Sequence, residues 1–392
     1  MTRSGAGSAA MWARHSAEWR DTAQVCSQWR EASATDRRLL EGRASKGWWR
    51  TVAELQITLL VTREYEHLVL ALSAPGGRPR VSYFPVPHPS GLAVDRERNR
   101  VLVASTRNPN QMYTLKPATA RLERRDVTAP AVEGRPLVVV SSTTYPGSLY
   151  LHDVAMVGGR VYANAVGHNA VMRLQPDGVF QPAWWPRCVE RNGRPDFSQN
   201  YIQLNSIAAG ASLRQSYFSA SSAAIGRRRP GDLNYPVDRR GVIFSGRTRE
   251  PICTGLTRPH SARLSAGRVW VANSGYGELG FVSKGRLEVL ARLPGWTRGL
   301  SIVGDVAFVA TSRVIPRYAR YAPGVDQRAS VCAVHAVSCT SGRLLGSFEW
   351  PSGNQVFAVD WIESRQSLGF TFNARGRKRT SETAFFYTYL TN

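Results

Sequence analysis

From about residue 54 onward, apolar and β-branched residues come in short runs, separated by turns of Gly, Pro, Asn, Asp and Arg. ITLLV (57–61), HLVLAL (67–72), RVLVAS (100–105), RVYANA (160–165), RVWVAN (268–273), DVAFVAT (305–311) and LGFTF (368–372) read as strands. A short strand, a turn and an alternating strand recur together, as in HDVAMVGGRVYANA and HSARLSAGRVWVAN. Six first strands align: SGLAV (90–94), HDVAM (152–156), NSIAA (205–209), HSARL (260–264), RGLSI (298–302) and QVFAV (355–359). Their spacings of 38 to 62 residues fall in the period range of four-stranded propeller blades.

Radial closure also answers a physical problem, because one long antiparallel sheet of such strands would expose flat, adhesive edges. The pattern therefore predicts an all-β fold, a six-bladed β-propeller over residues 51–392. Seven blades is the alternative, since both 57–61 and 368–372 resemble second strands. One of the two is expected to complete a closing blade where the terminal strands meet. Before residue 50 the pattern changes: Trp12, Trp19, Trp29 and Trp48 stand among Arg, Glu, Ala, Gln and Leu without a β-branched run. This predicts a helical N-terminal extension, residues 1–50, whose tryptophans pack on the main body.

Composition adds bounds. The chain has 392 residues, 43% apolar and 20% charged, enough to bury a large core, which excludes disorder as the main state. Basic residues outnumber acidic ones 51 to 28, a formal charge of +23 that suggests a polyanion partner. Only four of the 51 are lysines and the other 47 are arginines, dispersed along the chain in runs no longer than Arg227-Arg228-Arg229. Dispersion argues against a specific nucleic-acid partner. Five cysteines, with no CxxC pair, point to reduced thiols, and no stretch has the length of a membrane helix or the pattern of a signal peptide. A cytoplasmic protein with no membrane partner is the expectation.

The candidate chemistry lies at the heads of the six inner strands, which would line the channel: Ser90, His152, Asn205, His260, Arg298 and Gln355. All are polar, whereas Val154, Ile207, Ala262, Leu300 and Phe357 just beyond them return to the pattern of a buried strand. Such a ring either solvates a water-filled tunnel or builds a ligand site, and two His and an Arg are expensive to bury for solvation alone. Two chemistries fit. His152 and His260 could share a divalent metal with Asn205 between them, Asp153 being the only carboxylate nearby. Alternatively, a histidine near neutral pKa moves a proton while Arg298 anchors a carboxylate, phosphate or sulfate.

Loops add Tyr276, Arg313 and Arg317 as candidate pocket walls, with Tyr276 and Arg313 the further ligand-binding candidates, and Arg258 and the 227–229 run as further positive charge expected near the channel mouth. Gly167-His168-Asn169 reads as a turn and His335 as a structural histidine. Two insertions, 222–241 and 313–330, exceed ordinary loop length and are expected to cover the channel mouth.

The runs PHSARLSAGRVWVANSGYGELG, LPGWTRGLSIVGDVAFVATSRVIPRY and VHAVSCTSGRLLGSFEWPSGNQVFAVDW, with ITLLVTREYEHLVLALS and YLHDVAMVGGRVYANAVGHN before them, carry a resemblance. They resemble an uncharacterised bacterial family of conserved hypothetical β-propeller proteins, described as a domain of unknown function, over most of residues 50–372. The resemblance implies a propeller of YncE-like or gluconolactonase-like shape and brings no established activity. Gluconolactonase-like enzymes use carboxylates and an Asn around a divalent metal, and of that set only an Asn, Asn205, has a counterpart here. Two readings of function remain: an enzyme of specialised metabolism acting on a small anion through His152, His260 and Arg298, or a non-catalytic scaffold or ligand-binding propeller that recruits a protein partner.

Overall fold

The structure is a computed structural model, and it describes residues 21–45, 47–106, 110–121, 134–147, 149–374 and 389–391. Six antiparallel sheets stand in a ring. Blade 1 comprises Pro89–Asp95, Arg100–Ser105, Asn110–Arg121 and Leu137–Tyr145, and blade 2 Leu151–Val157, Arg160–Ala165, Ala170–Leu174 and Phe180–Trp184. Blade 3 is built from Leu204–Ala208, Tyr217–Ala220, Gly241–Ser245 and Pro251–Leu256, and blade 4 from Pro259–Ser265, Arg268–Asn273, Glu278–Ser283 and Arg286–Arg292. Trp296–Val303, Val306–Ser312, Ala333–Ser338 and Leu344–Glu349 form blade 5. The inner strands touch in succession, and that of blade 6 touches that of blade 1.

Blade 6 closes the circle. Its inner strand, Ala358–Glu363, comes from the far end of the chain and pairs with Ile57–Arg63, in register Val61 to Val359 and Leu59 to Trp361. Leu68–Ser73 and Arg80–Pro85 follow outward. Six blades are therefore present, not seven. The segment 57–61 is indeed a second strand, but 368–372 is not. Only Phe372–Asn373 pairs, against the outer strand of blade 6, and Phe370 makes an isolated bridge to Leu137 of blade 1. The last inner strand also begins at Ala358, three residues after Gln355, so Gln355 enters the channel from a loop.

Burial explains the hydrophobic pattern. Middle strands such as Ile57–Arg63, Leu68–Ser73 and Val306–Ser312 are buried at every residue, because each blade packs against a neighbour on both faces. Outer strands face solvent on one side, and Arg286–Arg292 has no buried residue.

The N-terminal segment is built into this frame. Thr22–Ser33 and Trp48–Glu54 are helices, the second straddling the expected boundary at residue 50. Trp48 is wholly buried, with ring centroids 5.8 Å from Phe308 and 6.1 Å from Phe348 of blade 5. Trp29 is more than one-third exposed and meets Tyr113 edge-on at 5.8 Å. Trp12 and Trp19 lie outside the described residues. Truncating a fully buried tryptophan leaves a cavity, so Trp48→Ala should lower the unfolding free energy by about 3–5 kcal/mol. Trp29→Ala should cost under about 1 kcal/mol. Urea denaturation of the two variants checks the contrast; equal losses would place Trp48 outside the core.

Candidate functional site

The inner strands share one irregularity. In blades 1 to 5 the pairing with the second strand shifts register near the strand head, between Pro89 and Leu92, opposite Ala163 and Ala165, between Leu204 and Ser206, between His260 and Arg263, and between Thr297 and Leu300. Each bulge frees backbone groups from the ladder and re-aims side chains. A carbonyl at the head of each inner strand, or in blade 6 just before it, is taken by a side chain from the blade before. Thr62 Oγ1 donates to Ser90 O, Ser90 Oγ to Leu151 O, His152 Nδ1 to Asn205 O and Asn205 Nδ2 to Pro259 O. Ser274 Oγ donates to Thr297 O and Ser312 Oγ to Val356 O, which completes the circle.

The six ring residues thus divide. His152, His260, Arg298 and Gln355 line a cavity of about 530 Å³ at the axis. Ser90 and Asn205 do not: the Ser90 hydroxyl and the Asn205 Nδ2 lace blade 1 to blade 2 and blade 3 to blade 4, and Asn205 Oδ1 is buried off the cavity without a partner among the described residues. Tyr276 and Arg313 also lie off the cavity. The Tyr276 hydroxyl donates to Asp238, and Arg313 ties Gly353, Ser330 and Pro351 carbonyls together. Arg317 is exposed beside Tyr65 and Tyr318. Gly167-His168-Asn169 is a turn whose Asn169 holds the amides of Tyr201 and Ile202, and His335 sits buried between Thr311 and Ser347.

Further cavity residues follow the two-residue period of a strand. Tyr150, Gln203, Arg258 and Trp296 each lie two positions before a ring residue, and Phe357 two after Gln355. Tyr150, Gln203 and Arg258 hold left-handed backbone, with φ of 54°, 50° and 52°, at equivalent places in three blades. Glu64, Tyr65 and Thr106 come from the tops of blades 6 and 1, and only the folded ring reveals them. Both insertions reach the site as expected: Arg229, Gly231 and Asp232 from one, Tyr318 and Tyr321 from the other. Arg320 clasps them together by donating to the carbonyls of Asp232 and Gly231.

Inside, the charged groups have unusual company. Arg298 donates from Nη2 to His152 Nε2 at 3.0 Å, and its guanidinium lies 3.5 Å from the centre of the Phe357 ring. Arg258 donates to Ser221 Oγ and the Pro230 carbonyl and stacks 3.9 Å over Tyr321. Every hydrogen-bond partner of both arginines is neutral, and the Nε of each is buried without a partner among the described residues. Burial draws Arg258 down to about 10 and also lowers Arg298, whose charge the more distant Glu64 supports. Both stay cationic at neutral pH.

These bonds fix the histidines. His152 carries its proton on Nδ1, facing Asn205 O, and accepts Arg298 on Nε2. His260 Nδ1 faces the Arg258 carbonyl at 2.8 Å and Ser274 Oγ at 2.9 Å, whose own proton goes to Thr297 O, so its lone pair is on Nε2. Burial, then the field of Arg298, pushes His152 down to about 3 and His260 well below the ordinary 6.5. The expected near-neutral titration is corrected accordingly: both are neutral imidazoles. A metal shared by His152 and His260 is disfavoured on the same geometry, because the cationic guanidinium of Arg298 occupies the His152 nitrogen such a metal would need.

The inner strands line two cavities, one at each end of the channel. A second cavity of about 340 Å³ opens at the opposite end, lined by Val94, Val154, Ile207, Arg263 and Asp360 among others. Asp153, between His152 of the upper cavity and Val154 of the lower, forms a two-pronged ion pair with Arg263 (2.9 and 3.2 Å) and accepts the Ile207 amide.

The family model described as Domain of unknown function (DUF4915) matches residues 46–368. The chain belongs to this family. Among solved structures, this DUF4915 chain is similar to one in a crystal structure of a nidogen/laminin complex, with a TM-score of 0.51, 9% identity and coverage of 79% of this chain and 99% of that one. It is also similar to a protein of unknown function from Bacteroides caccae (TM-score 0.47, 8% identity, 78% and 99% covered). A gluconolactonase from Xanthomonas campestris gives a TM-score of 0.44 at 12% identity, with 75% and 86% covered. At these identities the likeness concerns fold and brings no activity to the DUF4915 chain. No curated protein matches it.

The neutral histidines set a pH dependence. His152 binds a proton near pH 6.5 when unfolded but only near 3 when folded, so below 6.5 the unfolded state holds the extra proton and stability falls with falling pH. The slope is about 1.4 kcal/mol per pH unit for each such histidine. In urea titrations between pH 6.5 and 5, His152→Gln should remove about one histidine's share of that loss; an unchanged slope would mean that His152 is not held neutral.

Proposed function

We propose that the axial cavity binds a small organic anion, gripped by Arg298 and Arg258. The observation that carries this reading is the pair of buried guanidiniums bonded only to neutral groups, each with an unbonded Nε, in one cavity. A buried cation with no directly bonded anion is costly, even with Glu64 at a distance from Arg298, and a carboxylate, phosphate or sulfate would supply that bond. The rest of the ligand would meet an apolar wall, since Trp296, Tyr318 and Tyr321 lie within 6.5 Å of one another, centre to centre. Asp232 pairs with Arg229 at 3.8 Å and Glu64 offsets one of the two guanidiniums, so the lining keeps a net positive charge.

Binding without chemistry is the reading favoured, because Arg298 occupies His152 Nε2 and because burial and the Arg298 field leave both imidazoles too weakly basic to take a proton readily at neutral pH. Catalysis is the second reading, and His260 favours it: its Nδ1 is anchored, its Nε2 lone pair belongs to a cavity-lining ring, and an anion on the arginines would offset the field that depresses it. The setting proposed is the cytoplasm, where Cys188, Cys253, Cys332 and Cys339 would remain the free thiols they are here. No helix among the described residues is long and apolar enough to cross a membrane.

Thermal-shift titration with small carboxylates, phosphates and sulfates at constant ionic strength is the test. At least one class should raise the melting temperature, and Arg298→Met should weaken that ligand roughly 10- to 100-fold, the worth of a charge-assisted bond. A flat response of the parent across all three classes sinks the reading.

A further inference from the structure

A second cluster sits on loops that also build the cavity. His67, His88 and Glu31 each bring one ligand-type atom to within 4.8 Å of the others. The two imidazole rings meet at 4.4 Å, and His67 Nε2 lies 3.8 Å from Glu31 Oε2. The three come from separate places: helix Thr22–Ser33, the turn after Ile57–Arg63, and the residue just before Pro89–Asp95.

Two features set this cluster apart from a chance surface contact. First, both histidines are held in left-handed backbone, with φ of 55° at His67 and 44° at His88; at His88 this is the conformation that Tyr150, Gln203 and Arg258 share at the equivalent place in their blades, and at His67 it has no counterpart in that repeat. That conformation is normal for Gly or Asn and costs other residues on the order of 1 kcal/mol or more, and it is kept here at two histidines in contact. Second, His88 stands two residues before Ser90, the position that in blades 2, 3 and 4 sends Tyr150, Gln203 and Arg258 into the cavity. In blade 1 that position is diverted toward His67 of blade 6 and the N-terminal helix.

Two imidazoles and one carboxylate form a three-ligand set suited to zinc, with a fourth position left for water. The geometry points to a divalent-metal site for Zn²⁺ on His67, His88 and Glu31, which clamps the N-terminal helix to the seam between blades 6 and 1. Loading rearranges one bond. The His88 amide donates to His67 Nδ1 at 3.1 Å, which places the His67 proton on Nε2; a metal at Nε2 sends that proton to Nδ1 and breaks the amide bond, worth about 1 kcal/mol. The clamp touches the axial site through the backbone, because the His67 amide bonds to Glu64 O and the Thr106 amide to His88 O, and Glu64 and Thr106 line the cavity.

The test uses the full chain stripped with chelator and titrated with zinc chloride by calorimetry, with metal content measured after desalting. One zinc per chain is expected. Because Asn is at home in left-handed backbone, His67→Asn and His88→Asn remove the ligand without disturbing the loop. Each should weaken zinc at least 100-fold while the metal-free melting temperature stays within about two degrees. Glu31→Gln should weaken it roughly tenfold or more. No zinc on the parent, full zinc in both Asn variants, or loss of zinc in His152→Ala or His260→Ala alone each overturns the site. An unchanged affinity in Glu31→Gln overturns the clamp.

Discussion

A propeller channel forces a particular difficulty on the backbone: at the heads of the inner strands, carbonyls face the axis with no strand there to receive them. Unbonded and buried, each would cost about 1–3 kcal/mol. Here the blades solve this for one another, each reaching across the seam to the next. Thr62, Ser90, His152, Asn205, Ser274 and Ser312 are the six donors of that circuit. The polar ring is thus first a structural device. What makes it a site is what remains of it after the lacing is satisfied.

His152 shows how one residue serves both ends. Its Nδ1 proton laces blade 2 to blade 3, which leaves only Nε2 to the cavity, and that atom orients Arg298. The arginine that lines the cavity is thus bonded to a neutral acceptor rather than to a carboxylate. Arg258 is held in the same manner by a hydroxyl, a carbonyl and the Tyr321 ring. The guanidiniums are therefore oriented by neutral groups, and the buried Glu64 carboxylate in the same cavity offsets part of their charge from a distance.

The fold was largely legible in the sequence, since period-two runs and six aligned strand heads reflect strands buried on both faces. The seventh candidate, 368–372, misled because an apolar run that seals the outside of a seam resembles one that builds a strand. The site was legible in part. His152, His260, Arg298 and Gln355 stood at the right register, and the same period would have reached Tyr150, Arg258, Trp296 and Phe357. Ser90 and Asn205 share that register, yet a sequence does not show which heads are consumed by neighbouring carbonyls. Glu64 and Thr106 meet only through the ring's closure, and no local pattern marks them.

The Asp153–Arg263 pair lies between the axial cavity and the one at the opposite end, and Arg320 ties together two insertions that both line the axial cavity. A molecule that enters past the insertions meets that clasp on its way in and again on its way out. On that path any reaction product would have to retreat before the next molecule could enter. The tempo of exchange would then be governed by how often that clasp parts, and not by the strength of the grip alone.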